Sequence, residues 1–516
     1  MTTPVPVTRS RQRSRDSQDV PRSGVRLVAE IALAAVLVGA LVAFGQAWLR
    51  APALGYALND DAPSHVAATV LALSEHEVDE TRLLPVFTFG DIADRGIDNL
   101  PGSSVESDAG LLFYTSFPPG AFVLAAAVSA VAEPSLAVIR GLGLTLAAAT
   151  TALLFLTARR LLVGRPRGTA WAIVIAAAYL VSPVGLQSAF FGYWGHSVVQ
   201  VALAGTLLLL ATAPEARYVP AVLLTASFAA AYSEWTGILI FVVIAVALWF
   251  RPGSVRLNRA AALSIGAGVL TALALTAYQW SGLVPLSEIV AHMTQRADAR
   301  GLNIVRLAKV FWAWALAMVP LVAITLMLRP RVHRVMTIRL HRIDWYARLL
   351  CTVLLVGVAE NLVLAGHAGT YVYDTNKVTL AVALLAAVAV RSSGAPRLRW
   401  AAVVLVASLV VSVAYIDLTV RSALEHASAR VAVWSAARQI AQPGDLVVSS
   451  DCSVRGAQLI YVQRNVVECA DSELVDELTQ SGVGLVDVSR AGGDDYAIHR
   501  YVDGQLVSDW LESERN

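Results

Sequence analysis

Asp60 and Asp61 are adjacent carboxylates, and His65 follows Asp61 by one helical turn. Residues four apart on a helix lie on one face. Two carboxylates with an imidazole beside them can take a proton from a hydroxyl group or hold a metal ion. The stretch that follows, "APSHVAATVLALSEH", has the pattern of an amphipathic helix, with Pro63 suited to its first turn and Asp61 to its N-cap. One cap needs one acid. Asp60 is therefore expected to act as the general base, with Asp61 as cap or partner, and both are held as catalytic candidates.

The elements around these residues are those of a membrane protein. The chain has 516 residues, of which 56% are hydrophobic and only 15% charged, and its mean hydropathy is +0.61. Soluble domains carry about 25% charged residues. Apolar segments predict eleven spans, near 26–49, 138–158, 170–188, 197–213, 218–233, 236–250, 260–281, 307–328, 346–365, 377–391 and 400–416. The leader 1–25 is polar and rich in arginine, and the apolar run after it is long enough to be retained as a first span rather than cleaved as a signal. Arginines then fall in alternate loops: Arg159, Arg160, Arg165 and Arg167; Arg217; Arg251, Arg256 and Arg259; Arg329 to Arg342; Arg391 to Arg399. Positive loops face the cytoplasm. This places the N-terminus inside, and 50–137, 282–306, 366–376 and 417–516 outside.

The first outside segment, 50–137, holds the acidic pair. It also contains "LLFYTSFPPGAFVLAAAVSAVAEP", in which Pro118 and Pro119 open an apolar helix too short to span and suited to the membrane surface. Other outward polar residues are His196, Glu234 and the cluster His367, Tyr371, Tyr373, Asp374 and Lys377. Acids at membrane depth are costly, which marks Glu234 as a site candidate and Glu360 as a residue needing a polar partner. Trp194 and Trp235 are expected in an interfacial aromatic belt. Lys377, at a span edge, is read either as a snorkelling side chain or as a ligand.

The fold class is accordingly an all-α polytopic membrane protein with a small C-terminal α/β extracytoplasmic domain. Residues 26–416 form the transmembrane body, and 417–516 a linker helix and the soluble unit. In the tail "DLVVSS", "NVVECA" and "VGLVDVS" predict strands and "SELVDELTQSG" a helix ending at a Gly cap. Cys452 and Cys469, both outside, are expected to form a disulfide, while Cys351 lies in a span.

An acidic pair after the first span, a helix, a long loop, an aromatic-x-x-x-Pro entry to a short apolar helix and an Arg-bearing entry to the next span ("SLAVIRGLGL") resemble the GT-C glycosyltransferases. The nearest flavour is the protein O-mannosyltransferase and lipid A aminoarabinose transferase group. The resemblance implies a polyprenyl-phosphate sugar donor, transfer at the outer face, and membrane lipid, glycan or protein partners. It matches Asp60 and Asp61 to the family's acid pair, and Tyr114 and Pro118 to its second motif. Ser116 and Phe117 stand where aminoarabinose enzymes have a Glu before the proline. A divalent metal, Mg or Mn, is the candidate cofactor, with one family carboxylate missing. "EIVAHMTQRADARG" is similar to a donor-side segment, so His292, Arg296 and the nearby Arg300 become donor-phosphate candidates together with Lys377. A phosphate leaving group needs such cations. His65, Tyr114, Glu234 and His367 complete the candidate set.

The alternative is a transporter or flippase of an envelope substrate. That reading calls for a repeated half and midplane ionisable groups, and no such repeat stands out. A sensor or assembly role for the tail would leave the long first loop unexplained.

Overall fold

The computed structural model describes residues 45, 48–54, 61–89, 104–107, 110–252, 254–283, 285–299, 303–326, 345–393, 398–450, 456–467, 470–482, 484–492 and 495–512. Its helices are α1 Asp61–Leu73, α2 Val78–Thr81, α3 Gly120–Ser129, α4 Leu136–Leu161, α5 Gly168–Leu180, α6 Pro183–Phe191, α7 Gly195–Thr212, α8 Val219–Ser233 and α9 Trp235–Trp249, followed by α10 Val255–Ser281, α11 Leu286–Ala299, α12 Ile304–Leu326, α13 Trp345–Val363, α14 Ala365–Thr370, α15 Asn376–Ser393, α16 Leu398–Ile440, α17 Gly456–Val462 and α18 Ser472–Gln480. The strands are β1 Ser104–Glu106, β2 Leu112–Tyr114, β3 Leu446–Ser449, β4 Val466–Val467, β5 Leu485–Gly492, β6 Asp495–Val502 and β7 Gln505–Glu512.

Among the described residues, 7 helical segments are long and apolar enough to cross a membrane. A bent pair, α5 with α6, brings the number to 8, and α3, α8 and α9 are shorter apolar helices. The expected span 170–188 is thus broken, with a 68° bend. Its cause is local. Pro183 has no N–H to continue the ladder, and the Ser182 hydroxyl accepts from Gly185 N at 3.0 Å, starting a new helix. The expected first span, 26–49, lies almost wholly outside the described residues. Leu263, Leu270, Trp312, Leu355, Val406 and Val410 stand exposed on long helices, which suits contact with lipid chains.

Two hydrophobic cores organise the chain. One joins α4, α5, α7, α8, α9, α10, α13 and α15. The other gathers α1, the strands of the first loop, Trp194 and Trp434 with Val447, Leu459, Val466 and Val486 of the tail. The tail was expected to be a separate unit, but it packs on the first loop. Ala53 N donates to the Tyr461 hydroxyl (2.8 Å), and Asn465 exchanges two hydrogen bonds with the Phe89 backbone (2.8 and 2.7 Å). The predicted span 400–416 is the start of α16, a helix of 43 residues that continues to the tail. The tail sheet has the order β4-β3-β5-β6-β7, parallel among its first three strands and antiparallel thereafter. Cys452 and Cys469, expected to pair, lie outside the described residues. They follow β3 and β4, which are parallel neighbours. Cys351 is exposed on α13 with a free thiol.

Candidate active site

Asp61 stands in the first turn of α1, 6% exposed. The positive end of the helix favours a carboxylate there. The helix already includes Asp61, so Asp61 is not its N-cap. The preceding segment is held by Arg140 of α4, fully buried, which donates to the carbonyls of Trp48 (3.1 Å), Ala51 and Pro52 (3.1 Å). Asp60 lies outside the described residues.

The Tyr371 hydroxyl donates to Asp61 Oδ2 at 3.3 Å. Tyr371 closes a tight hook after α14: its N–H donates to the His367 carbonyl (2.7 Å), and the Asp374 N–H donates to the Tyr371 carbonyl (3.1 Å). Within the hook, His367 Nδ1 is hydrogen-bonded to Asp374 Oδ2, both side chains buried. The His367 ring lies between the rings of Tyr371 (4.7 Å between centroids) and Phe117 (5.6 Å). His196 at the start of α7 stacks on Tyr373 at 4.0 Å with 12° between planes.

His65 faces the same region, and its ring sits in an aromatic nest of Phe87 (4.3 Å), Tyr114 (4.7 Å), Trp194 (5.5 Å) and Phe122 (6.3 Å). Trp194 was expected in an interfacial belt. At 5% exposed it is instead the centre of this nest, because α7 begins under the first loop. The Trp235 indole N–H donates to the Ser116 carbonyl (2.9 Å), tying the α8–α9 junction to the entry of α3. Glycines permit this closeness. A Cβ at Gly120 would lie 2.6 Å from the Tyr232 carbonyl oxygen, and one at Gly195 would lie 2.2 Å from that of Ser233.

The same junction presents Glu234, 3% exposed. The Thr236 hydroxyl lies 3.2 Å from Glu234 Oε1 and also meets Glu360 of α13. Lys377, 2% exposed at the start of α15, donates to Glu360 Oε1 (2.7 Å) and to Thr236 (3.1 Å), and its Nζ is 2.6 Å from Glu360 Oε2 and 3.8 Å from Glu234. The expected free or snorkelling cation is thus enclosed. A buried ammonium needs carboxylate partners, and two spans supply them. Glu360 has the polar partner expected of it. Thr236, the bridge of this cluster, was missed by sequence reasoning, since nothing in "SEWTG" tells it from a lipid-facing threonine.

His292 and Arg296 lie on α11, which packs against β1; their side chains and Arg300 lie outside the described residues. Among the described residues there is no group of 3 or more His, Cys, Asp or Glu arranged to hold a metal ion.

No protein-family model matches the chain, and no curated protein matches its sequence. Solved structures do. ArnT from Cupriavidus metallidurans bound to undecaprenyl phosphate superposes with a TM-score of 0.56 at 12% identity, covering 91% of this chain and 94% of that one. Apo ArnT from the same organism gives 0.44 at 12%, covering 90% and 93%. Archaeoglobus fulgidus oligosaccharyltransferase AglB, in complex with an inhibitory peptide and a dolichol-phosphate, gives 0.43 at 12%, covering 91% and 70%. The fold resembles that of ArnT along nearly the whole chain.

Proposed function

We propose that the protein is a membrane glycosyltransferase that moves a sugar from a polyprenyl-phosphate donor to an acceptor hydroxyl on the extracytoplasmic face. The observation that carries this reading is Asp61: a buried carboxylate at a helix start, touched by Tyr371, on a fold like that of ArnT bound to undecaprenyl phosphate. The proposed topology has eleven spans, counting α5–α6 as one, α8 and α9 as one each, and 26–49 as the first. The N-terminus is cytoplasmic and the α/β tail, 417–516 with its linker helix, is outside.

In this mechanism the Asp60–Asp61 pair supplies the base. The acceptor oxygen attacks the anomeric carbon as its proton passes to the carboxylate. The bond from that carbon to the phosphate oxygen breaks, and the lipid phosphate leaves with the electron pair, inverting the centre. Its charge needs cations. Arginine suits phosphate through its planar fork, and Arg296 and Arg300 with His292 are assigned this role. Lys377 is left out of it, because its ammonium already serves Glu360.

The test is transfer from labelled polyprenyl-phosphate mannose and arabinose in membranes carrying Asp60→Asn or Asp61→Asn. Loss of the base should slow transfer by about 10²–10⁴-fold, and the less affected variant identifies the supporting acid. Wild-type rates in both variants would remove the pair from the chemistry.

A further inference from the structure

We infer that His367 and Asp374 are positioning residues for Asp61, acting through the Tyr371 hydroxyl. The inference builds on Asp61 as a reacting carboxylate, but its geometry stands independently. The Tyr371–Asp61 hydrogen bond is 3.3 Å, longer than the usual range of about 2.5–3.0 Å for a hydroxyl donor. A small rotation of the Tyr371 ring therefore makes or breaks it, and something must hold that ring.

The hook supplies the hold. Its two backbone bonds fix the turn around Tyr371. The His367 ring, between Phe117 and Tyr371, limits ring rotation from one side. His367 is itself oriented by Asp374, whose carboxylate accepts from Nδ1. Such a carboxylate selects the imidazole tautomer and its angle. The far end of the hook is anchored by the His196–Tyr373 stack and by Lys377 at the start of α15. The order of action is Asp374 on His367, His367 on Tyr371, and Tyr371 on Asp61. Asp374 reaches the acid across two residues without touching substrate.

Asp374 and His367 are also faced by His196, and Asp374 by Glu234 and Lys377, while the neighbouring acid Asp60 lies outside the described residues. His65 shares α1 with Asp61 and lies in its aromatic nest. Tyr371 and Tyr373 face from the hook. Helices α3 and α17, which pack on α1, carry no charged residue. Arg140 on α4 is turned onto the Trp48, Ala51 and Pro52 carbonyls.

The test is a pH titration of the Asp61 carboxylate by infrared difference spectroscopy on the purified full-length protein, with the Asp61→Asn spectrum as the subtraction. No substrate is needed. A hydrogen bond to a carboxylate favours its charged form. Tyr371→Phe should therefore move the midpoint up by about one pH unit. Asp374→Asn should move it the same way by less. His367→Phe, which keeps a ring between Phe117 and Tyr371 but loses the Asp374 bond, should match Asp374→Asn. A midpoint unchanged in both Asp374→Asn and His367→Phe reduces the hook to packing and overturns the inference. So does one unchanged in Tyr371→Phe. Because Tyr371→Phe and His367→Phe keep ring volume, they carry the test where Asp374→Asn does not fold. If instead the midpoints move as expected while Asp60→Asn and Asp61→Asn both transfer sugar at the wild-type rate, the positioning stands and the proposed function falls.

Discussion

Two clusters of ionisable groups share the stretch of chain from Glu360 to Lys377, and they end differently. Lys377, Glu360, Glu234 and Thr236 are closed on one another, each side chain meeting a protein partner from another segment. Asp61, met by the Tyr371 hydroxyl, lies at the head of a chain of contacts that runs back through His367 to Asp374. The first cluster joins the α8–α9 junction to α13 and α15 and so holds spans together. The second brings one carboxylate to the edge of the first loop. Burial alone does not separate them, since both are nearly inaccessible. They differ in the partner the structure shows: an ammonium for Glu360 and the Tyr371 hydroxyl for Asp61.

The largest expected effect lies in the closed cluster. Lys377→Met would leave Glu360 and Glu234 without their cation, and removing one partner of a buried pair costs about 3–5 kcal/mol. Thermal unfolding in detergent should show a large fall, or the protein should fail to accumulate in membranes. The double variant Lys377→Met with Glu360→Met should recover part of the loss. A Lys377→Met protein with the wild-type unfolding temperature would show that the two clusters are not different in kind.

The open cluster should behave in the opposite way. Asp61→Asn keeps an acceptor oxygen for Tyr371, so the stability change should stay within about 1 kcal/mol, read by the same unfolding assay. The large effect should fall on glycosyl transfer. An Asp61→Asn protein as unstable as Lys377→Met would make Asp61 a structural group.

Much of this was legible in the sequence, and the rest was hidden for physical reasons. Predicted 197–213 and 218–233 correspond to Gly195–Thr212 and Val219–Ser233, because long apolar runs leave little choice of element. The Asp61 helix was visible from its proline and its apolar spacing. The Ser182–Pro183 break was present as a signal, and a window tuned to membrane length averaged over it. The β6–β7 hairpin also had its sign, Asp503-Gly504, whose two positive φ values (50° and 77°) suit a two-residue turn. The fate of Lys377 was not legible. Its partners lie on Glu234 and Glu360, and only packing of separate spans reveals which acid meets which cation. Asp374 and His367 could be seen to cluster, but not that their ring contacts lead to Asp61.

A third acid tests the role of the partner in a milder setting. Asp487 on β5 is nearly buried and stands opposite His499 of β6 in the antiparallel register. Burial pushes its carboxyl above the usual range, against the smaller pulls of the Ser489 hydroxyl and His499. No reaction is assigned to it. The folded state therefore holds this proton to higher pH than the unfolded chain does. The resulting stability is present below the ordinary carboxylate value and is lost as pH rises through the raised one. At neutral pH the charged form is a net cost to the sheet, and Asp487→Asn should remove it. Hydrogen-exchange protection at Val486 and Val488 should then rise slightly at pH 7 and lose the part of its acid-to-neutral decline that Asp487 causes. Protection that falls at pH 7 in Asp487→Asn would mean that the charged carboxylate is a net support to the strand, and that burial without a full ionic partner is better tolerated here than the comparison of the two clusters implies.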